Sequence, residues 1–196
     1  MKRFATIILL GLFAVGCQIP HPARMVYRGA PFRFPVDQMN NVTVDRVADN
    51  VGRINFFVQQ YTKHAADFET ALKKTLGYMQ LLSANGAYLL KASFENIDWE
   101  QPSIPFVIID RVTIKIRYTL INRSNGEMLM NELVTTTSEA SVSDSFNSEK
   151  RKAMAFEGCA RDSIGQILMK LSQLSGTSPP GYVPTEPATE EGEMMF

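Results

Sequence analysis

Two cysteines, two histidines and 20 acidic side chains are the groups in this 196-residue sequence whose types could do chemistry. A thiol can act as a nucleophile, a metal ligand or an attachment point for lipid, depending on what activates it. Cys159 stands between Phe156 and Ala160 in a stretch with helical spacing, so it reads as a small buried apolar residue rather than a nucleophile. His21 lies in a proline-containing segment and His64 just before the first helical stretch. No spacing gathers them with other metal ligands, and each reads as an exposed side chain. The sequence contains no G-x-S-x-G, no Walker loop and no dinucleotide fingerprint, and Ser124-Asn125-Gly126-Glu127 is explained by a turn. The expectation is a protein that is not an enzyme, with no cofactor and no metal. Because 20 Lys plus Arg balance 20 Asp plus Glu, no net field favours nucleic acid as a partner.

Cys17 has a different setting. Lys2 and Arg3 precede an uncharged apolar run, FATIILLGLFAVG, that ends at the cysteine. A bilayer span needs about 20 such residues and a signal-peptide core about 7 to 15, so this is an export signal. Its end, Ala14-Val15-Gly16-Cys17, resembles the bacterial lipobox, in which the cysteine thiol accepts a diacylglyceryl group before cleavage at that residue. Ala14 stands where Leu is usual. Residues 1–16 are therefore expected to be a lipoprotein signal peptide and Cys17 the acylated first residue of the mature chain. The acyl chains, palmitate among them, would form a stable lipid anchor, each buried methylene contributing about 0.8 kcal/mol. Cys159 is then left with no disulfide partner in the chain.

These groups must be positioned by the rest of the chain, which divides by composition. Residues 17–37 carry the anchor and four prolines without a clear period, and are expected to be an extended tether. About 20 residues of such chain reach at most roughly 60 Å at about 3.1 Å per residue. Arg24, Arg28 and Arg33 make the tether basic, and the simplest reading of three scattered arginines is solvation rather than contact with headgroups. Residues 176–196, rich in Pro, Thr and Glu, read as a disordered acidic tail.

Between them, residues 38–175 read as one α+β domain with 45% of the whole sequence apolar. Val42 and Val44 alternate with polar neighbours in a strand over 41–47. Phe68, Ala71, Leu72, Leu76 and Met79 share one face of a helix over 65–82, ended by Asn85-Gly86. Tyr88, Leu90, Ala92 and Phe94 point one way in a strand over 87–98, and a loop with Pro102 and Pro105 follows. The clearest strand, 110–122, alternates Val112, Ile114, Ile116, Tyr118 and Leu120 with polar residues. A hairpin at 124–126 leads into a strand over 127–140 whose face switches near Glu132, where a bulge is expected. Ser148 reads as the cap of a helix whose stripe runs from Ala153 through Phe156, Ala160, Ile164 and Ile167 to Leu174. The order is β-α-β-β-β-α, an antiparallel sheet of about four strands with two helices packed on one face.

That order behind a lipobox resembles the small periplasmic lipoproteins of Gram-negative bacteria. The phrases that carry the likeness are FETALKKTL, VTIKIRYTLINRSNGEMLMNELV and KRKAMAFEGCARDSIGQILMKLSQL. It extends over residues 40 to 175 and is similar to the lipoproteins of lipopolysaccharide assembly and the auxiliary lipoproteins of envelope transport systems. The resemblance implies an accessory role in the cell envelope through a partner protein, or alternatively direct binding or transfer of a lipid or lipopolysaccharide. In such lipoproteins Asp after the acylated cysteine is the usual signal for inner-membrane retention. Gln18 stands there instead, which implies the outer membrane, periplasmic face.

Two groups of residues are candidates for binding. Phe56, Phe57 and Tyr61 cluster in INFFVQQY, where exposed aromatics would mark a binding surface and buried ones would close the core at a sheet edge. Arg111, Lys115 and Arg117 form a basic row on the polar face of the clearest strand, able to meet the phosphates of an anionic glycolipid or simply to face solvent. The lipid anchor itself gives the first prediction. Mass spectrometry of membrane-extracted protein should show a diacylglyceryl group on an N-terminal Cys17; a mature chain starting elsewhere, or a free thiol there, rejects it.

Overall fold

A computed structural model describes residues 20–29, 32–50, 58–100 and 108–174 of the chain. The elements run as a short helix α1 (Pro22–Met25), strands β1 (Val42–Val44) and β2 (Ala48–Asp49), helix α2 (Val58–Tyr78), strands β3 (Tyr88–Glu100), β4 (Ile109–Asn122) and β5 (Met128–Ser141), and helix α3 (Ser148–Gln173). They form an α+β fold with a mostly antiparallel five-stranded sheet, ordered β1-β3-β4-β5 with β2 also beside β3. Both helices cover the same face of it: Phe68 of α2 and Phe156 of α3 each meet Phe94 of β3, with ring centroids 5.3 and 6.2 Å apart.

β4 is the centre of the sheet because its alternation is complete. Val112, Ile114, Ile116, Tyr118 and Leu120 are all excluded from solvent, while the residues between them lie on the other face. The Tyr118 hydroxyl and Ser163 Oγ share a hydrogen bond of 2.8 Å, which satisfies the two polar groups at the β4–α3 contact. α3 can come this close because it carries small residues on its buried sides. A Cβ on Gly158 would collide with Ser138 Oγ of β5.

A buried ion pair ties the start of β4 to the start of α3. Arg151 Nε donates to Asp110 Oδ2 at 2.7 Å, and Arg151 Nη1 donates to the carbonyl oxygens of Ser145 and Phe146. Both side chains are nearly inaccessible, so their charges are matched where water cannot screen them. The guanidinium also holds the loop leading into the helix.

Several boundaries differ from the sequence reading. The N-cap of α3 is Asn147, whose side chain accepts from the Lys150 N–H; Ser148 is already helical. The first long helix starts at Val58 and stops at Tyr78, ahead of Asn85-Gly86. Gln80 takes a left-handed conformation (φ 56°), and the amides of Gln80 and Leu81 return to the carbonyls of Gly77 and Leu76. This is a Schellman closure, and burial of both Leu81 and Leu76 offsets the cost of a non-glycine residue there. The expected strand over 41–47 shortens to β1, the further strand β2 follows it at Ala48–Asp49, and both run parallel to β3. The β5 bulge falls between Met128 and Met130, opposite Leu120 and Ile121, and not at Glu132. Met130, Val134, Thr136 and Ala140 therefore keep one inward face, and Glu132 on that face reaches Lys170 at 2.9 Å. A second bulge in β3 passes over Glu95.

The expected extended tether also folds back. Met25 and Val26 are buried against the domain, and the Tyr27 amide donates to Thr75 Oγ1 of α2 at 3.2 Å. The signal peptide, Cys17 and the acidic tail lie outside the described residues. The β4 register sets a stability test. Ile116→Ala should cost about 2 to 5 kcal/mol through lost burial and a cavity, and Thr119→Ala on the opposite face far less. Denaturant titration of both variants checks it, and equal small losses would contradict the register.

Candidate functional site

The N-terminal segment meets α3 around one carboxylate. Glu157 is buried on α3, and its Oε1 accepts the His21 amide N–H at 2.7 Å while its Oε2 lies 3.7 Å from Arg24. Farther along α3, the Tyr27 ring rests on Gly165, where a Cβ would come within 2.7 Å of it, and Tyr27 stacks with Phe32 at 5.8 Å. Between the segment and α3 lies an open cavity of about 510 Å³. Arg24, Val26, Tyr27 and Arg28 line it from the segment, and Arg161 and Asp162 from α3. Burial pushes the Asp162 carboxyl up from the usual carboxylate range, against the opposing pull of Arg161. Sequence reading saw Arg24 and Arg28 but not their convergence with Arg161, which only the fold brings near them.

The basic row lies where the alternation puts it, on the uncovered face of the sheet. Its charges are largely matched. Arg111 lies 2.6 Å from Glu139 of β5 and 3.5 Å from Glu100 of β3, and Arg117 3.2 Å from Glu95. Such cross-strand pairs between opposite charges stabilise the sheet modestly. Lys115 pairs across the sheet with Asn96 and Thr135, neither of them acidic. Phe56 and Phe57 lie outside the described residues, as does the side chain of Tyr61, which falls within α2.

Cys159 and His64 are both buried. The Cys159 thiol is buried and donates to the carbonyls of Val112 at 3.0 Å and Thr136 at 3.5 Å. Burial pushes its pKa up to about 12, against the weaker opposing effect of its hydrogen bonds. His64, expected at the surface, is instead 8% exposed within α2, its ring 4.4 Å from that of Phe156. The helix begins before His64 and turns it inward. No group of three or more His, Cys, Asp or Glu residues that could hold a metal occurs among the described residues.

Among the described residues, the fold is an open sheet with helices on one face, none on the other, and a docked N-terminal segment. No family model matches the chain, and no curated protein matches it either. Solved structures resemble the chain to different degrees, and those with a TM-score above 0.5 share its fold. A Xanthomonas campestris protein of the family DUF330 is 12% identical, with a TM-score of 0.52 over 72% of this chain and 90% of its own. A hypothetical protein from Chlamydia trachomatis is 8% identical, with a TM-score of 0.53 over 70% and 99%. A minor lipoprotein from Acinetobacter baumannii is 10% identical, with a TM-score of 0.43 over 74% and 98%.

Cys159 gives this site its prediction. With Cys17 acylated, the native protein should not react with a disulfide thiol reagent at pH 8, and should release one equivalent after unfolding in guanidinium. The raised pKa also fixes a sign: an unfolded thiol ionises near its ordinary value of 9.0, the folded one only near 12. The contribution to stability is therefore complete below pH 9 and lost as pH rises toward 12. Rapid labelling of the native protein would contradict the buried geometry.

Proposed function

We propose that this chain is a non-catalytic, lipid-anchored accessory protein of the bacterial cell envelope. It faces the periplasm from the outer membrane and binds a partner protein by accepting a strand on the free edge of β5. The export signal, Cys17 and Gln18 support the anchor and its location, and the buried thiol supports a role without nucleophilic catalysis.

The observation that carries the partner reading is the unprotected edge of the sheet. β5 is a 14-residue strand at the end of the strand order, paired with β4 on one side and with no strand on the other among the described residues. Proteins usually blunt such an edge with lysine, proline, outward charge or a bulge; the β5 bulge lies at its start, and from Met130 to Ser141 its pairing is regular. β5 has no Lys, Arg or Pro. Its two charges are already engaged, Glu132 by Lys170 and Glu139 by Arg111. What remains along the edge is threonine-rich backbone with strong strand propensity, the surface that strand addition uses.

Photo-crosslinking in intact cells tests this. A benzoylphenylalanine at Leu133 or Thr135 should give one discrete adduct on illumination, recovered with the outer membrane on a density gradient. The same probe at Lys152 of α3 should not. Adducts from Lys152 alone would contradict the β5 edge, and native protein found only with the inner membrane would contradict the location.

A further inference from the structure

The cavity beside the docked N-terminal segment joins positive charge from two distant parts of the chain. Arg24 and Arg28 come from the segment and Arg161 from the middle of α3, against a single lining carboxylate, Asp162. The guanidiniums are only loosely engaged. Arg24 is 3.7 Å from Glu157 and Arg161 is 3.8 Å from its neighbour Asp162, beyond hydrogen-bond distance, and their side chains are 61% and 49% exposed. Arg28 is exposed and has no ion pair among the described residues. Each guanidinium offers a planar fork of five N–H donors that matches phosphate oxygens two at a time.

The position of the cavity narrows the source of such a ligand. His21 is fixed to Glu157 at 2.7 Å, and it is the fourth residue after Cys17. At about 3.5 Å per extended residue, an acylated Cys17 lies within roughly 14 Å of His21. If the anchor is where the proposed function puts it, on which this step rests, the cavity opens among lipid headgroups. We propose that the cavity is a phosphate-binding site that takes the phosphate of an anionic phospholipid headgroup or of a soluble phosphate ester.

The mature full-length protein in a neutral detergent provides the test, by titration calorimetry. The probes are dihexanoyl phosphatidylglycerol, dihexanoyl phosphatidylcholine and inorganic phosphate. Phosphatidylglycerol should bind, weaken with added salt, and lose about tenfold or more in affinity in the Arg28→Gln, Arg161→Gln double variant. Melting of that variant should be nearly unchanged, since both side chains are exposed. Binding of inorganic phosphate without phosphatidylglycerol supports the site with a soluble source. Equal binding of the zwitterionic and anionic lipids, no binding of any probe, or the same affinity in the double variant overturns it. The intact mass of the same sample separates the two ideas: an unacylated chain that still binds phosphate removes the anchor and keeps the site, and an acylated chain that binds nothing does the reverse.

Discussion

Ser163 and Gly165 are two residues apart on α3 and face opposite ways, since about 100° per residue puts them about 200° apart around the axis. Ser163 shares a hydrogen bond with Tyr118 at the centre of the sheet, and Gly165 receives the Tyr27 ring of the N-terminal segment. α3 is thereby clamped between two layers. Neither contact tolerates a shift along the helix, because a slip of one residue would replace the glycine under Tyr27 with a side chain and separate the two hydroxyls. The Arg151–Asp110 pair fixes the same register from the other end. The order of layers, sheet, then α3, then N-terminal segment, follows from these three contacts.

That order changes what the chain before the domain can do. An extended tether would have let the domain wander roughly 60 Å from its anchor. The observed docking, through the His21 amide on Glu157 and the buried Met25, leaves only a few residues between the domain and Cys17. With the anchor proposed at Cys17, the helix side would be held toward the membrane and the other face of the sheet away from it. The arginines that looked scattered along a solvated tether are part of a folded surface, which is why their spacing in sequence said little about their arrangement.

The elements that could be read from sequence are those whose pattern is dictated by a single boundary between core and water. β4 alternates without exception, and α3 holds its stripe from Ala153 to Leu171, so both were visible at once. What escaped was set by contacts distant in the chain. The end of α2 at Gln80 depends on Leu81 finding a place in the core, which outweighs the stronger turn signal of Asn85-Gly86. The parallel pairing of β1 and β2 depends on α2 crossing over before β3, and no residue in either strand records it. The buried Arg151–Asp110 pair joins residues of types that are seldom buried, and nothing local marks them. The site behaved likewise: Arg111 and Arg117 were placed on the correct face, but the acidic partners that match them come from β3 and β5.

The separation of the two surfaces has a physical consequence for binding. The cavity is on the helix side, where the N-terminal segment docks, while the β5 edge belongs to the sheet layer on the other side of α3. A strand added to β5 would extend the sheet sideways and bury backbone groups without displacing Tyr27 or the arginines. Coupling between the two sites would then need α3 to move as a unit, and its contacts on both sides oppose that movement. Membrane contact and partner contact should therefore be independent in affinity. The anchor would act on partner binding only by concentrating the domain at the membrane surface, an effect of local concentration with no change in the β5 edge itself.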